Sequence, residues 1–424
     1  MDTNLARTRW IQLGLGLLAM MAISSPQYVW TLFTKPLMAT TGSTLAALQW
    51  TFTILIVLQT FFSPVQGWLI ERFSPRLMIA VGAALSGLGW VLTARVDSLL
   101  GVYLTYGLFC GLGTGIVYVG IVGLMVKWFP DRRGFAVGIV AAGYGMGALL
   151  TTFPITDMMT ASGYRQTLTV FGIILGIVGV LAALGLRAPR PDEALPAPAS
   201  NLVTTAHDTA PREMLRTPLF WLMFVMMTMM STGGLMVVAN FASFARDFGV
   251  ADAIIFGFAA LPFALTFDRI TNGLTRPFFG WVSDRIGREN TMGIAFALEA
   301  MAICLLLVFR DNPYAFAFLS GLVFFAWGEI FSLFPSILTD TFGTKHATTN
   351  YGFLYMAQGV GSLLGGPVAA YIYQGQGSWI PVFCIAIVLD LITATLAYFV
   401  LKPMRRNWLG AGEAPGLIAK PAMG

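Results

Sequence analysis

The sequence contains few charged residues and very few histidines or cysteines. Asp, Glu, Lys and Arg make up 11% of its 424 residues, whereas a soluble domain usually carries about 25%. The histidines lie in polar connecting segments and the cysteines lie separately in apolar runs: His207, His346, Cys110, Cys304 and Cys384. This distribution supports neither a disulfide framework nor a zinc site. The chain also lacks the HExxH, G-x-S-x-G and P-loop patterns, so we expect no metal, no cofactor and no enzymatic activity.

Long apolar runs dominate the rest of the chain. Hydrophobic residues make up 57% of it, and its mean hydropathy is +0.75. A helix of about 20 apolar residues crosses a bilayer. Twelve such spans are predicted, with the bounds 10–33, 46–70, 77–95, 99–126, 134–156, 166–187, 218–246, 254–282, 292–309, 313–340, 348–374 and 379–402. The first run follows Arg7 and Arg9 but is longer than the apolar part of a signal peptide, so we interpret it as a retained span.

The basic residues are distributed unevenly between the two sides of the predicted spans. With both termini in the cytoplasm, eighteen Lys and Arg residues lie on that side and only five lie near the other face. This asymmetry satisfies the positive-inside rule. We therefore expect a multi-pass protein of the inner (plasma) membrane with both termini cytoplasmic. The net charge of +5 is too small to indicate nucleic-acid binding, and we expect a monomer in the lipid bilayer.

One long polar segment divides the chain. Residues 187–217 are rich in Pro, Ala and acidic residues, which is typical of a linker. The predicted organisation is a six-helix half at 1–187, a cytoplasmic linker at 188–217, a second six-helix half at 218–402 and a cytoplasmic tail at 403–424. The predicted fold class is an all-α membrane protein with twelve transmembrane helices in two pseudo-symmetric bundles.

An internal repeat supports this division. Gly67-Trp68-Leu69-Ile70-Glu71-Arg72 follows the second span, and Gly280-Trp281-Val282-Ser283-Asp284-Arg285 follows the eighth. The glycine, tryptophan, acid and arginine recur at the same offset, about half a chain apart. Repeated halves with a central site between them are typical of alternating-access transporters.

The repeated loops are candidate gates. Their charged residues lie at helix ends, where basic side chains face partly negative carbonyl groups. We predict a charge cluster that latches the two halves and breaks during switching; the alternative is an ordinary positive-inside loop without a gating role. The predicted gating residues are Glu71, Arg72, Arg76, Asp284, Arg285 and Arg288.

Several motifs resemble a known family over nearly the whole chain. They are Gln27-Tyr28-Val29-Trp30-Thr31-Leu32, Lys127-Trp128-Phe129-Pro130-Asp131-Arg132-Arg133-Gly134, Ala141-Ala142-Gly143-Tyr144-Gly145, Arg276-Pro277-Phe278, Trp327-Gly328 and Asn350-Tyr351-Gly352-Phe353. With the repeated loops, they are similar to the oxalate:formate antiporter family of the major facilitator superfamily. This resemblance implies the twelve-helix fold of that superfamily and the transport of small organic anions.

Ionisable residues in the eighth span are the strongest candidates for a binding site, because charge at bilayer depth is costly. Arg269 and Arg276 are seven residues apart and share one helix face with Asn272. A guanidinium group can bind a carboxylate through two hydrogen bonds, and the resemblance implies the same role for Arg276. The alternative for Arg276 is a side chain that reaches the cytoplasmic surface or joins the Asp284 cluster.

Acidic residues at the same depth suggest proton coupling. Arg269 requires an anion, either the substrate or Glu329 in the tenth span. A permanent Arg269–Glu329 pair is one interpretation, and a pair that opens as Glu329 takes up a proton is the other. Asp268 is a second candidate for proton coupling, and Glu299 in the ninth span is interpreted as a structural residue.

The resemblance also implies a substrate chamber with two departures from the family pattern. The chamber candidates besides the arginines and Asn272 are Gln27, Tyr28, Tyr118, Tyr144, Trp327, Phe331, Tyr355 and Gln358. In the oxalate carriers a lysine stands at the position of Gln358 and a tyrosine at that of Phe331. Because two cations suit a dianion, the loss of one leaves both a dianion and a monoanion open as cargo.

The predicted function is secondary active transport of a mono- or dicarboxylate by alternating access, through antiport or with proton coupling. The alternative is efflux of an anionic drug such as fosfomycin, which fits the same small cationic pocket. The two arginines disfavour a pump for lipophilic cations.

Overall fold

The computed structural model describes residues 3–198, 202–205 and 207–412. Its first half contains nine α-helices and one π-helical segment, Tyr103–Cys110. The α-helices are α1 Thr3–Ala22, α2 Ser25–Tyr28, α3 Trp30–Thr41, α4 Leu45–Phe61, α5 Ser63–Arg72, α6 Pro75–Thr93, α7 Leu99–Val102, α8 Gly111–Trp128 and α9 Arg133–Leu184. In α9, Gly163 has φ 78° and ψ 166°, so the segment consists of two helices that meet at this glycine.

The second half contains a small hairpin between its first two long helices. The helices are α10 Pro211–Met214, α11 Pro218–Asp247, α12 Ala260–Ile286, α13 Arg288–Val308, α14 Pro313–Trp327, α15 Ile330–Phe342, α16 Ala347–Gln376, α17 Ile380–Leu396 and α18 Lys402–Gly412, with a π-helical segment at Ala397–Leu401. Strands β1 Ile254–Ile255 and β2 Phe258–Ala259 pair antiparallel. The predicted eighth span at 254–282 therefore starts too early. Phe256 and Gly257 have positive φ angles and form the hairpin turn, so the helix begins only at Ala260.

Not every helix is apolar enough to mark a membrane span by itself. Among the described residues, seven helical segments have the length and hydropathy of a span, and nine do when two bent helix pairs are counted. Helices α12 and α16 are outside this group because they carry polar residues, and residues 133–184 count once although they contain two helices. The number of twelve spans therefore remains a prediction.

The apolar core has one shared part and two separate parts. The largest cluster of buried residues joins both halves and includes Val117 and Tyr144 from the first and Leu333 and Leu354 from the second. A second cluster lies within the first half and a third within the second half. The halves are therefore packed together at one end and have separate cores toward the other. The packed end carries Asp284, Arg288 and Asp340. Because Arg288 belongs to the side on which most Lys and Arg residues are predicted to lie, we call the packed end the basic end.

The linker lies along the second half at the basic end. The backbone N–H groups of Thr205 and Thr209 donate to the carbonyl oxygens of Asp340 and Phe342 at 2.9 and 2.8 Å. At the start of the linker, Arg187 hydrogen-bonds Glu193 and lowers the pKa of this carboxyl to about 2. This link is therefore charged at neutral pH.

Candidate functional site

Arg276 lies on α12 at the interface between the halves. Its side chain is 2% exposed, and its guanidinium donates to the carbonyl oxygen of Ala141 on α9. It also donates to Oδ1 of Asn272 at 3.1 Å, and its Cζ atom lies 4.6 Å from the centre of the Phe331 ring. Gly145 leaves the space that the guanidinium occupies, because a Cβ atom there would lie 3.1 Å from it.

Arg276 forms no ion pair within the part of the chain that the structure describes. Among the described residues, its hydrogen-bond partners are a carbonyl and an amide, both neutral, and its Nε atom is buried without a partner. Burying an unpaired charge is costly, and in proteins such charges are normally paired. An anion that enters this site would therefore supply a missing counterion.

A cluster of tyrosines packs beside Arg276. The Tyr118 ring stacks on Tyr355 with centroids 4.9 Å apart and meets Tyr144 edge-on at 5.2 Å. Tyr28 meets Tyr144 at 5.5 Å, and Tyr351 meets Tyr355 at 5.6 Å. Because Tyr118, Tyr144 and Tyr355 are at most 3% exposed, the rings are packed on one another and do not line an open chamber in this state.

The hydroxyl groups of this cluster are partly engaged by glutamines. Tyr144 donates to Gln27, and the amide of Gln59 donates to the Tyr355 hydroxyl at 3.1 Å. The hydroxyls of Tyr118 and Tyr351 adjoin each other and neither has a well-oriented hydrogen bond within the described chain. Gln59 and Tyr351 were not among the predicted site residues. The signal was present, since Gln59 is a polar residue in a span and Tyr351 belongs to one of the quoted motifs.

Two of the predicted site residues face α11. The Trp327 indole donates to the carbonyl oxygen of Met230 at 3.1 Å. Gln358, which is 9% exposed, accepts a hydrogen bond of 2.5 Å from Ser231. Gln358 is thus held by a neutral neighbour, and the described hydrogen bonds of Arg276 do not include Gln358.

Arg269 and Glu329, whose permanent pairing was one of two interpretations, form no ion pair among the described contacts. Arg269 is exposed, whereas Glu329 is fully buried and its two carboxylate oxygens have no hydrogen-bond partner in the described residues. Glu329 lies between α14 and α15 and interacts electrostatically with Glu299, Asp390 and Arg276. Its surroundings are therefore buried groups, whereas Arg269 lies on an exposed part of α12. Asp268 is also fully buried, and it accepts a hydrogen bond of 2.9 Å from Ser320 on α14 within its own half.

At the basic end, two acids accept hydrogen bonds from the N-termini of helices in the opposite half. Glu71 at the end of α5 accepts hydrogen bonds from the N–H groups of Thr348 and Thr349, at 2.9 and 3.2 Å, at the start of α16. Asp284 on α12 accepts from the N–H groups of Gly134 and Phe135, at 3.0 and 2.8 Å, at the start of α9. A carboxylate stabilises a helix N-terminus because the free N–H groups there carry partial positive charge.

The repeated glycine makes each of these contacts possible. A Cβ atom at Gly67 would lie 2.7 Å from the Thr348 carbonyl oxygen, and one at Gly280 would clash with the Gly134 carbonyl. The glycine thus lets two helix backbones touch, and the acid four residues later reaches the neighbouring helix start. The four-residue spacing between the glycine and the acid therefore corresponds to about one turn of helix.

An ion network extends the second of these contacts. Asp340 pairs with Arg288 at 2.8 Å and with Arg133 of the first half, while Arg288 also pairs with Asp284 at 2.6 Å. Arg133 and Asp340 were not predicted as gating residues, because neither lies within the repeated motif.

The other predicted gating arginines have different surroundings. All three are exposed. Arg72 and Arg285 lie over the rings of Trp68 and Trp281, and Arg76 donates to the carbonyl oxygen of Leu186 in its own half. Of the predicted gating residues, Glu71 and Asp284 make the described contacts with the opposite half, and Arg288 pairs with Asp284 and Asp340. We call the contacts of Glu71 with the start of α16 the first latch and those of Asp284 with the start of α9 the second latch.

The facing surfaces of α9 and α12 separate away from the basic end. They touch at Met146 and Gly273. Farther along the same helix faces, Leu150 and Phe153 are 67% and 75% exposed, and Arg269 is exposed as well. A crevice between the halves therefore opens toward the end opposite the basic end, and Arg269 lies in this crevice, about two turns from Arg276.

Glu71→Gln is expected to weaken the first latch modestly. The amide keeps one acceptor oxygen but loses the negative charge at the helix N-terminus, which costs about 0.3–1 kcal/mol. The rate at which a cysteine introduced at the buried Ala347 is labelled measures opening of the basic end, and this rate should increase about two- to fivefold. Glu213→Gln, at an exposed linker acid, is the control. Equal labelling in both variants would show that Glu71 does not hold this end closed.

Comparison with known proteins gives the class of this molecule. The profile of the Major Facilitator Superfamily matches residues 13–270 and 269–421. This chain is a member of the Major Facilitator Superfamily. The oxalate:formate antiporter of Oxalobacter formigenes is 36% identical to it, covering 96% of this chain and 94% of that protein. Monocarboxylate transporter 13 of Bos taurus is 24% identical, covering 80% and 77%.

The fold agrees with this assignment. The superfamily transporter FucP, crystallised in the outward conformation, matches with a TM-score of 0.68 and 17% identity, covering 92% of this chain and 99% of that one. The resemblance expected from the sequence motifs is confirmed, and the chain is an integral membrane transporter of the superfamily and not an enzyme.

Proposed function

We propose that this superfamily member carries a small organic anion, a mono- or dicarboxylate, across the inner membrane by alternating access. The observation that supports this most strongly is the buried Arg276, which lies between the halves and whose described hydrogen-bond partners are both neutral. The similarity to an oxalate:formate antiporter and to a monocarboxylate transporter supports the same class of cargo.

The geometry suggests how the cargo is bound. A carboxylate replaces the carbonyl of Ala141 as acceptor for the Arg276 guanidinium and accepts further hydrogen bonds from the Tyr118 and Tyr351 hydroxyls. Because the tyrosine rings fill the site in this state, they separate to admit the cargo, and their aromatic faces then exclude water.

The arrangement of cations favours cargo with one negative charge in the buried site. Gln358 is neutral and bonded to Ser231, and Arg269 lies in the crevice, roughly 10 Å along the helix axis from Arg276. We propose that Arg269 attracts anions into the crevice and that Arg276 binds one carboxylate. A dicarboxylate reaches both arginines only if its second carboxylate extends along the helix.

A thermal-shift screen of the purified protein tests this proposal. Formate, lactate, pyruvate, oxalate and malonate are each compared with the corresponding amide, which has a similar shape but no carboxylate, and fosfomycin is included as an anionic drug. We expect stabilisation by at least one carboxylate and none by its amide, since the charged hydrogen bonds to Arg276 contribute most of the affinity. Equal shifts for acid and amide contradict the proposal, and a shift with fosfomycin alone favours drug efflux instead.

A further inference from the structure

Three carboxyl groups that are not part of the tyrosine cluster are buried together inside the second half. They belong to Glu299 on α13, Glu329 between α14 and α15, and Asp390 on α17. Each residue is 0% exposed, and none of the six carboxyl oxygens has a hydrogen-bond partner in the described part of the chain. We call these residues the carboxyl cluster.

The three groups affect one another electrostatically. Glu299 interacts with Asp390 and Glu329, and Glu329 also interacts with Asp390. From α11, Gly233 faces the cluster, since a Cβ atom there would lie 3.3 Å from Oδ1 of Asp390. Arg276 on α12 is a basic residue that acts on Glu329, without forming an ion pair among the described contacts.

Such a group of carboxyls cannot be fully ionised. Each carboxylate would be buried without hydrogen bonds, and like charges close together oppose ionisation further. A metal ion is a poor explanation, because the described residues contain no set of three or more acidic, His or Cys side chains spaced to hold one. A proton is the remaining ligand that fits unpartnered carboxyl oxygens in a dry site.

We propose that the carboxyl cluster is a proton-binding site, separate from the anion site, and that it couples anion transport to protons. This inference rests on the proposed function. It adds Glu299 and Asp390 to Glu329 as the groups that share the proton, and it favours symport over simple exchange.

Arg276 and Glu329 connect the two sites. The positive guanidinium favours the ionised form of Glu329. When an anion neutralises Arg276, this effect is reduced and Glu329 binds a proton more readily, so the anion and the proton favour each other's binding. The backbone provides a second connection, because Gly328 packs so closely on α12 that a Cβ atom there would lie 2.7 Å from the Asn272 carbonyl oxygen.

Infrared spectroscopy of the full chain in lipid tests proton binding without any substrate. At neutral pH we expect a carbonyl-stretch band of protonated carboxylic acid, which decreases in Glu299→Gln, Glu329→Gln and Asp390→Asn. Asp311→Asn is the control, because the Asp311 side chain is 82% exposed. A wild-type spectrum without this band, or a band that none of the three variants reduces, overturns the proposal.

Transport in proteoliposomes tests the coupling. The measurement compares accumulation of formate or lactate driven by an acidic outside with counterflow of the same anion at equal pH. The ratio of the two should fall about tenfold in the cluster variants, a typical size for coupling between sites, and should not change in Asp311→Asn. An unchanged ratio in all three variants contradicts the coupling. If the wild type shows no counterflow of any anion from the thermal-shift screen, the proposed function is contradicted instead. The infrared result then still decides whether the carboxyl cluster binds protons.

Discussion

Arg276→Gln is expected to reduce anion transport about a hundredfold while the protein still folds. A carboxylate bound by a guanidinium receives charge-assisted hydrogen bonds, each worth about 1.5–3 kcal/mol, and the loss of about 3 kcal/mol corresponds to a factor of roughly a hundred. Glutamine can still donate to Ala141 and Asn272, so the packing between α9 and α12 should survive. Initial rates of uptake of a carboxylate identified by the thermal-shift screen measure the effect.

Two further variants separate charge from shape at this position. Arg276→Lys keeps the charge but cannot form two parallel hydrogen bonds, so a partial loss of about tenfold is expected. Arg165→Gln removes an exposed arginine that pairs with Asp97 and should leave uptake unchanged. If uptake by Arg276→Gln stays within twofold of wild type, the buried arginine does not bind the cargo.

Gly280→Leu is expected to open the basic end and to stop transport. The new side chain would clash with the backbone of Gly134 and push α12 away from α9, so that Asp284 loses its contacts with the start of α9. Overpacking costs about 1–3 kcal/mol, which corresponds to an increase of about five- to 150-fold in the open population. Maleimide labelling of a cysteine at Ala347, with Cys304 and Cys384 replaced by serine, reports this opening.

The position of the label makes this experiment specific. Ala347 lies at the start of α16, next to the latch that Glu71 forms, whereas Gly280 belongs to the other latch. Increased labelling therefore shows that both latches open together. Gly366→Leu is the matched control, because no atom lies within 4 Å of a Cβ atom at this helical glycine. A similar response of the two variants would mean that Gly280 has no special role in closure.

The sequence was informative where a residue type has a single physical explanation. The repeated glycine and acid identified the ends of α5 and α12 that contact the opposite half, and an arginine at bilayer depth identified the buried Arg276. The hairpin at 254–259 was missed because its residues are as apolar as the span that follows, so hydropathy gave no boundary there.

Interactions between distant residues were harder to predict. Arg269 and Glu329 were paired by charge and depth alone, but the direction of a side chain depends on how its helix is rotated against its neighbours. The contacts of Asp340 with Arg133 and Arg288 bring together residues 207 and 52 positions apart. Neither separation follows from a local pattern. The same holds for the carboxyl cluster, whose members come from three different parts of the second half.

The reciprocal capping by Glu71 and Asp284 has a consequence for the symmetry of the molecule. An acid of each half caps a helix of the other half, and identical subunits related by a two-fold axis make reciprocal contacts of this kind. The closed interface at this end therefore has the pseudo-two-fold symmetry of a homodimer, whereas Arg276 belongs to one half alone.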